Sequence, residues 1–321
     1  MLTGLAFQVV VMALGIGVLY FGAEWLVRGA ARLAGSLGVS PIVVGLTVVS
    51  FGTSAPELVV AVVASAGGNA DLAIGNVLGS NLANIGLILG ITALIRPLEV
   101  AARVVWREVP LMLLVTASLY PLASDHELSR GDGVILLMAL AAYLLFVFQS
   151  AETEAPEIMD EYEDFMKESK QGPGLLRLGD VGLVVGGCAA LVAGGYAIVE
   201  GAVAVATYLG VSQVVIGLTV VAVGTSLPEL ATSVVAALHK EADIAVGNII
   251  GSNIFNVAAI LGTASVISPM AISQTVLMRE LPAVLVMSCM LLPMLRTRWR
   301  IERWEGALLL GCYLGLGAWL L

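Results

Sequence analysis

The chain has 321 residues, of which 59% are hydrophobic and 12% are charged, and its mean hydropathy is +0.99. This composition excludes an ordinary soluble globular protein and indicates a membrane protein with several spans. The formal net charge of −9 is concentrated in one place, because residues 152–180 hold nine of the 24 acidic residues.

Long apolar stretches predict the membrane topology. A transmembrane helix needs about 20 mostly apolar residues to cross the hydrocarbon layer. Ten stretches meet this requirement, so the sequence predicts an all-α polytopic membrane protein with ten transmembrane helices. In chain order, the predicted spans are residues 5–27, 38–66, 71–95, 106–123, 133–150, 180–206, 211–237, 243–267, 278–295 and 304–321.

Two segments of the chain repeat each other at a constant separation of 172 residues. Gly45–Glu57 and Gly217–Glu229 are identical at ten of thirteen positions. Asp71–Gly90 and Asp243–Gly262 are identical at eleven of twenty positions. Paired polar motifs in the membrane helices of two related halves are typical of a transporter with its substrate site at the repeat interface.

The repeats define the domain organisation. We predict a first five-helix repeat at residues 1–150, an acidic linker at 151–179 and a second five-helix repeat at 180–321. Because five is an odd number, the second repeat enters the membrane from the opposite side and the repeats are inverted.

The cationic residues predict the orientation in the membrane. With the N-terminus outside, only Arg130 and Arg279 of the fifteen Lys and Arg residues fall outside, as the positive-inside rule requires. We therefore expect a multi-pass protein of the cell (inner) membrane, with both termini outside and the acidic linker in the cytoplasm.

Glu57 and Glu229 occupy corresponding positions in the second and seventh spans. A carboxylate at mid-membrane costs at least ~2.5–3.5 kcal/mol, so it needs a partner. The second, third, seventh and eighth spans contain no Lys or Arg that could neutralise it. A transported cation is the natural partner, and the two charges together match one divalent ion.

The residues before each glutamate predict a broken helix that offers further oxygen atoms. Pro56 and Pro228 each remove a helical N–H, and Gly52 and Gly224 loosen the same turns, so discontinuous helices are expected at the centre of the protein. The break is expected to free backbone carbonyls near Ser50 and Ala222. The hydroxyl groups nearest to the glutamates belong to Thr53, Ser54, Thr225 and Ser226. Carboxylate, hydroxyl and carbonyl oxygens suit Ca²⁺ and Na⁺ rather than zinc or copper.

The third and eighth spans supply the opposite wall of the predicted site. Ser80 and Asn84 are four residues apart and share one helix face, as do Ser252 and Asn256. We interpret these four side chains as ion ligands. Asn81 and Asn253 fall on a different face, where hydrogen bonding between helices is expected.

The doubled motifs GTSAPE with GSNLAN and GTSLPE with GSNIFN resemble the calcium/cation antiporter superfamily, most closely its prokaryotic sodium/calcium exchanger branch. The resemblance covers essentially the whole chain. It implies a Ca²⁺ site formed by Glu57 and Glu229 with Thr53 and Thr225. It also implies that the long first and sixth helices slide across the other eight. The flanking Na⁺ sites that it implies use Ser54, Ser226, Ser80, Ser252 and the backbone at Ser50 and Ala222.

One position departs from that family pattern. Many sodium/calcium exchangers have Asp at the second of the two GSNxxN positions, whereas this chain has Asn at both, Asn84 and Asn256. The leading hypothesis is Ca²⁺/Na⁺ antiport by alternating access, without a cofactor. The alternatives are Ca²⁺/H⁺ exchange, a cation channel and an intramembrane enzyme. No nucleophile–base pair or histidine cluster in the sequence supports the enzyme.

Overall fold

A computed structural model of the chain describes residues 2–169, 178–210 and 222–320, with the backbone alone given for residues 2–6, 151–169, 222, 297 and 298. The described chain is mostly helical, as predicted. The helices are α1 (Leu2–Leu37), α2 (Pro41–Thr53), α3 (Ala55–Ala66), α4 (Ala70–Ile95), α5 (Val109–Ala117), α6 (Leu119–Leu122), α7 (Arg130–Ser169), α8 (Leu178–Tyr208), α9 (Ala222–Thr225), α10 (Leu227–Leu238), α11 (Ala242–Ile267), α12 (Leu281–Arg298) and α13 (Arg303–Leu320). Four short strands join them: β1 (Leu98–Glu99), β2 (Glu127–Leu128), β3 (Met270–Ala271) and β4 (Arg300–Ile301).

The apolar helices agree with the predicted spans, but fewer of them meet a strict criterion of length and hydropathy. Among the described residues six helices do so, or seven if the bent pair α2 and α3 is one span. The other three predicted spans are helical where they are described. The fourth corresponds to the π-helical segment Val104–Glu108 followed directly by α5 and then by α6, and the tenth corresponds to α13. Residues 211–221 of the seventh lie outside the described residues. The count of ten therefore stays a prediction.

The predicted linker begins as a continuation of the fifth span. Helix α7 runs without interruption from Arg130 to Ser169, beyond the predicted end of the span at residue 150. Residues 170–177, which contain the predicted Gly-Pro-Gly break, lie outside the described residues.

The long helices α1 and α8 pack against each other in antiparallel directions along a line of glycines. Gly15 lies against Gly194, whereas Gly29 lies against Val184, so the two helices run in opposite directions. The glycines recur every seven residues and correspond at the repeat separation of 172: Gly15, Gly22 and Gly29 in α1, and Gly187, Gly194 and Gly201 in α8. A Cβ added to Gly22 would lie 2.8 Å from the backbone nitrogen of Leu191, so this close packing depends on small residues.

The strand pairs join the two repeats in a reciprocal way. Strand β1 pairs with β4, and β2 pairs with β3, both antiparallel. Leu98 and Met270 are separated by 172 residues, and each begins a strand that pairs with the other repeat. The same connecting segment of each repeat thus contacts the other repeat in a matched, pseudo-symmetric way.

Helices α4 and α11 form the centre of the protein. In the most apolar 18-residue stretch of each helix, 72% of the residues of α4 and 94% of those of α11 are buried, compared with 33% for α1. Both contain a π-helical segment, Asn84–Ile88 in α4 and Asn256–Leu261 in α11. Such π-bulges inside α-helices frequently occur at functional sites, and each one here begins at the second asparagine of a GSNxxN motif.

Candidate cation site

Both repeats contain the predicted helix break, and each break places a glutamate in the first turn of a new helix. Helices α2 and α3 meet at Ser54 with a bend of 47°. Helices α9 and α10 meet at Ser226, whose backbone angles (φ −87°, ψ 6°) resemble those of Ser54 (φ −81°, ψ 7°). Glu57 and Glu229 therefore lie at helix N-termini, where the backbone dipoles stabilise negative charge.

The two glutamates are joined to the opposite repeat by serine hydroxyls. The Oγ atom of Ser54 donates a hydrogen bond to Oε1 of Glu229 at 3.1 Å. The Oγ atom of Ser226 donates the corresponding bond to Oε1 of Glu57 at 3.4 Å. The structure thus brings together the two motifs that are 172 residues apart in the sequence.

The second carboxylate oxygen of each glutamate is buried without a hydrogen-bond partner. Glu57 and Glu229 are each 1% exposed, and their Oε2 atoms receive no hydrogen bond. In the part of the chain that the structure describes, neither carboxylate pairs with a cationic side chain. An uncompensated carboxylate is costly away from water, so these oxygens fit a bound cation.

Two asparagines hold the backbone of the glutamates in place. The Nδ2 atom of Asn76 donates to the carbonyl of Glu57 at 3.3 Å, and Nδ2 of Asn248 donates to the carbonyl of Glu229 at 3.4 Å. Asn248 also receives a hydrogen bond from Thr53, at 3.0 Å to its Oδ1 atom. These side chains fix each helix break against α4 or α11.

The threonines of the two motifs lie beside the same carboxylates. Thr53 is fully buried and interacts with the carboxylate of Glu229, while the half-buried Thr225 interacts with that of Glu57. Each glutamate is therefore surrounded by the threonine and serine of the opposite repeat.

The expectation about Ser50 needs a correction. The carbonyl of Ser50 is not freed by the break, because it accepts a hydrogen bond from the backbone nitrogen of Ser54 at 3.0 Å. Pro56 removes the donor for the carbonyl of Gly52, four residues earlier, and not for that of Ser50. The hydroxyl of Ser50 is itself bonded to the carbonyls of Gly45 and Asn248, at 2.7 and 3.0 Å.

The matching position in the second repeat is Ala222. Its backbone begins α9, and its side chain lies outside the described residues. The residue types at positions 50 and 222 already make the two halves of the site unequal, because alanine has no hydroxyl group.

The predicted ligands of α4 and α11 are all buried. Ser80 is 3% exposed, and Ser252, Asn84 and Asn256 are each at most 1% exposed. The hydroxyl of Ser252, the Oδ1 atom of Asn256 and both amide atoms of Asn84 have no hydrogen-bond partner. These atoms, together with the two glutamate Oε2 atoms, are most of the buried unpartnered side-chain atoms at the centre of the described structure.

Asn81 confirms the prediction of a hydrogen bond between helices. Its Nδ2 atom donates to the backbone carbonyl of Asn253 at 3.2 Å, and its Oδ1 atom accepts from Nδ2 of Asn256 at 3.0 Å. The Nδ2 atom of Asn253 instead donates within its own helix, to the carbonyl of Ile249 at 2.8 Å. Asn81 therefore orients Asn256, a contact that helical spacing alone did not predict.

A second contact that the sequence did not reveal joins α1 to the end of α10. The Nε2 atom of His239 lies 2.7 Å from Oε1 of Glu24, and Arg28 lies 2.8 Å from Oε2 of the same carboxylate. The pairing of Glu24 with Arg28 follows from their spacing of four residues, whereas His239 is distant in the sequence. This cluster lies away from the cation site.

Comparisons with known proteins agree with this architecture. A family model described as sodium/calcium exchanger protein matches residues 7–149 and 180–321. The putative antiporter CaxA of Alkalimonas amylolytica is 38% identical over 307 residues, which cover 94% of each chain. The sodium/calcium exchanger MaX1 of Methanosarcina acetivorans is 35% identical over 333 residues, covering 94% of this chain and 95% of that protein.

A solved structure shows the same fold. The sodium/calcium exchanger from Methanococcus jannaschii superimposes with a TM-score of 0.82, at 31% sequence identity and over 98% of both chains. The resemblance inferred from the doubled motifs is confirmed. The chain therefore belongs to the sodium/calcium exchanger protein family, and it is a multi-pass membrane antiporter rather than an enzyme.

Proposed function

We propose that this antiporter exchanges Ca²⁺ for Na⁺ by alternating access, and that Ca²⁺ binds between Glu57 and Glu229. The observation that carries the proposal is the pair of buried carboxylates, contributed by opposite repeats. Each has one oxygen bonded to a serine of the other repeat and one oxygen without a partner.

The charge of this pair suits a divalent cation. Two ionised carboxylates carry a charge of −2, and the described structure supplies no cationic side chain to balance it. Calcium accepts six to eight oxygen ligands in flexible geometry. The two carboxylates with the hydroxyls of Thr53 and Thr225 form the core of such a set, and water completes it.

Sodium requires fewer negative charges and uses the flanking oxygens. We assign the Na⁺ sites to the serine hydroxyls on either side of the glutamates and to the amide oxygens of Asn84 and Asn256. These serines are Ser54, Ser226, Ser80 and Ser252. The backbone adds the carbonyl of Gly52, whose helical donor Pro56 removes, and that of Ala222. Ser54 and Ser226 already contact the glutamates, so Na⁺ bound at these serines and Ca²⁺ bound between the glutamates compete for the same carboxylate oxygens.

The packing of α8 suggests how the site opens to alternate sides. Cys188 of α8 lies against Gly52, and Val199 lies against Gly224, so one helix covers both helix breaks. Because α1 and α8 interlock through glycines, we expect them to move together across the remaining helices. A shift of this pair along its axis uncovers one break and covers the other, which is alternating access.

The orientation and the domain limits are part of the proposal. The five-helix repeats at residues 1–150 and 180–321 have opposite orientations in the inner membrane. Both termini lie outside, and the acidic segment 151–179 lies in the cytoplasm. The distribution of Lys and Arg in the sequence supports this orientation.

The test is ⁴⁵Ca²⁺ uptake into proteoliposomes that contain the purified protein, with a Na⁺ gradient or a pH gradient imposed separately. We expect uptake when internal Na⁺ exceeds external Na⁺, and its loss when a sodium ionophore collapses the gradient. Uptake driven only by the pH gradient would assign the protein to Ca²⁺/H⁺ exchange instead. Rapid calcium equilibration that needs no counter-ion would indicate a channel.

A further inference from the structure

Two repeat-related pairs of asparagines at the centre of the protein differ in their hydrogen bonds, although the residues themselves are repeated. Positions 81 and 253 correspond at the repeat separation of 172 residues, and so do positions 84 and 256. Asn256 of the second repeat donates to Asn81 of the first, with 3.0 Å between Nδ2 and Oδ1. The bond related to it by the repeat would run from Nδ2 of Asn84 to Oδ1 of Asn253.

That second bond is absent, and both atoms that would form it are buried without partners. Nδ2 of Asn84 and Oδ1 of Asn253 make no hydrogen bond, and water does not reach them readily because each residue is only 1% exposed. An unsatisfied buried polar group is costly, so such a group in a native structure calls for an explanation. Asn84 is left with two unpartnered atoms, whereas Asn256 is left with its Oδ1 atom alone.

The inverted arrangement supplies an explanation. In a transporter with inverted repeats, the two repeats can exchange their conformations as the site changes the side to which it opens. The bond from Asn256 to Asn81 would then break in the other state, and the corresponding bond from Asn84 to Asn253 would form instead. The unpaired atoms of Asn84 and Asn253 are the ones that such an exchange requires.

We propose that Asn81 and Asn253 are positioning residues that act alternately. In the observed state Asn81 orients Asn256, and in the oppositely open state Asn253 orients Asn84 by the corresponding bond. The helix that supports an ion-facing amide group is thus α4 in one state and α11 in the other. This inference rests on the proposed alternating access, but it does not depend on which ion is exchanged for Ca²⁺.

The test compares Asn81→Ala with Asn253→Ala. The first variant removes two bonds of the observed state, the one from Asn256 and the one to the carbonyl of Asn253. The second removes the proposed bond of the opposite state, together with a bond to the carbonyl of Ile249 that lies within α11 and does not join the repeats. One net hydrogen bond shifts a two-state ratio by about fivefold, so the variants should shift the ratio by about this factor in opposite directions. Asn69→Ala is the matched control, because Asn69 is exposed at the start of α4, where it caps the helix.

The population of the two states is read from the native thiol of Cys188, which lies on α8 against Gly52. Cys289 and Cys312 are replaced by serine, so that Cys188 is the only thiol in the chain. A membrane-impermeant methanethiosulfonate reagent is applied to right-side-out and to inverted vesicles without Na⁺ or Ca²⁺. The ratio of the two labelling rates reports the side to which the site is open.

Opposite shifts of this ratio in the two variants, with no shift in the control, would support the proposal. Shifts in the same direction, or unchanged ratios in two folded variants, would overturn it. Where an alanine variant does not give monodisperse protein, serine at the same position provides the comparison, because its hydroxyl is too short to replace the amide. Labelling does not require transport, so failure of Na⁺-driven calcium uptake remains a separate result.

Discussion

The hydroxyl of Ser54 donates a hydrogen bond to Oε1 of Glu229, 3.1 Å away, and so joins the helix break of one repeat to the carboxylate of the other. Ser226 and Glu57 form the corresponding contact at 3.4 Å. The carboxylate of each glutamate is therefore contacted by a serine of the repeat to which it does not belong. Neither repeat alone contributes both carboxylates of the candidate site, and the crossed contacts couple the two halves.

The crossed contacts lead to a prediction for the serines. Ser54→Ala and Ser226→Ala each remove a hydrogen bond to a buried carboxylate, and such bonds contribute about 1.5–3 kcal/mol. We expect each substitution to weaken the apparent Ca²⁺ affinity by about tenfold or more. Calcium titration of Na⁺-dependent uptake measures this change.

The control for the serine variants is Ser36→Ala, because Ser36 is bonded only to a nearby backbone carbonyl of its own helix in the described structure. Its apparent Ca²⁺ affinity should match that of the parent protein. A strong effect of Ser54→Ala with none of Ser226→Ala would argue against a site shared by both repeats.

The amide at position 256 leads to a prediction about pH. Asn256→Asp would place a third carboxyl group near Glu57 and Glu229, and three negative charges exceed the charge of one Ca²⁺. One carboxyl group is then most easily accommodated with a bound proton. We expect transport by the variant to be inhibited by protons at a higher pH than transport by the parent.

Initial rates of Na⁺-dependent ⁴⁵Ca²⁺ uptake, measured against pH, test this expectation. Asn69→Asp is the control, because it introduces the same charge at an exposed position. Superimposable pH profiles for Asn256→Asp and the parent, at full activity, would place Asn256 outside the site.

The packing of α1 against α8 leads to a prediction about stability. Valine at position 22 would place its Cβ 2.8 Å from the backbone nitrogen of Leu191, closer than side chains normally approach. Overpacking of this kind costs about 1–3 kcal/mol, and backbone atoms cannot move aside as a flexible side chain does. We expect Gly22→Val to lower the melting temperature of the purified protein.

Gly17→Val is the matched control on the same helix. A Cβ at Gly17 meets no atom within 4 Å, so this variant should unfold close to the parent temperature. Thermal unfolding followed by size-exclusion chromatography with fluorescence detection compares the two. Equal melting temperatures for both variants would show that the glycine contacts do not hold the helix pair together.

The sequence predicted those features that depend on residue type and spacing. Glu57 and Glu229 could be identified because each is an isolated charge in an apolar segment and because the two segments repeat. The break beside Pro56 and Pro228 followed from the missing backbone N–H groups. These properties are local, so they can be recognised before the fold is known.

Contacts between helices could not be predicted in the same way. The bond from Ser54 to Glu229 and the bond from Asn256 to Asn81 depend on which helix faces meet, and this depends on the packing of the whole bundle. The error about the carbonyl of Ser50 has a different cause. A proline removes the donor of the carbonyl four residues earlier, which is Gly52 for Pro56, so the expectation placed the freed carbonyl two residues too early.

The carboxylate pair can be tested directly with Glu229→Gln, which keeps the shape of the side chain and removes its charge. The measurement is ⁴⁵Ca²⁺ uptake by proteoliposomes under an outward Na⁺ gradient, with Glu200→Gln as the control because Glu200 is exposed on α8. We expect uptake to be abolished in Glu229→Gln and retained in Glu200→Gln, with both proteins folded. Normal uptake by a well-folded Glu229→Gln protein would contradict the assignment of the calcium site.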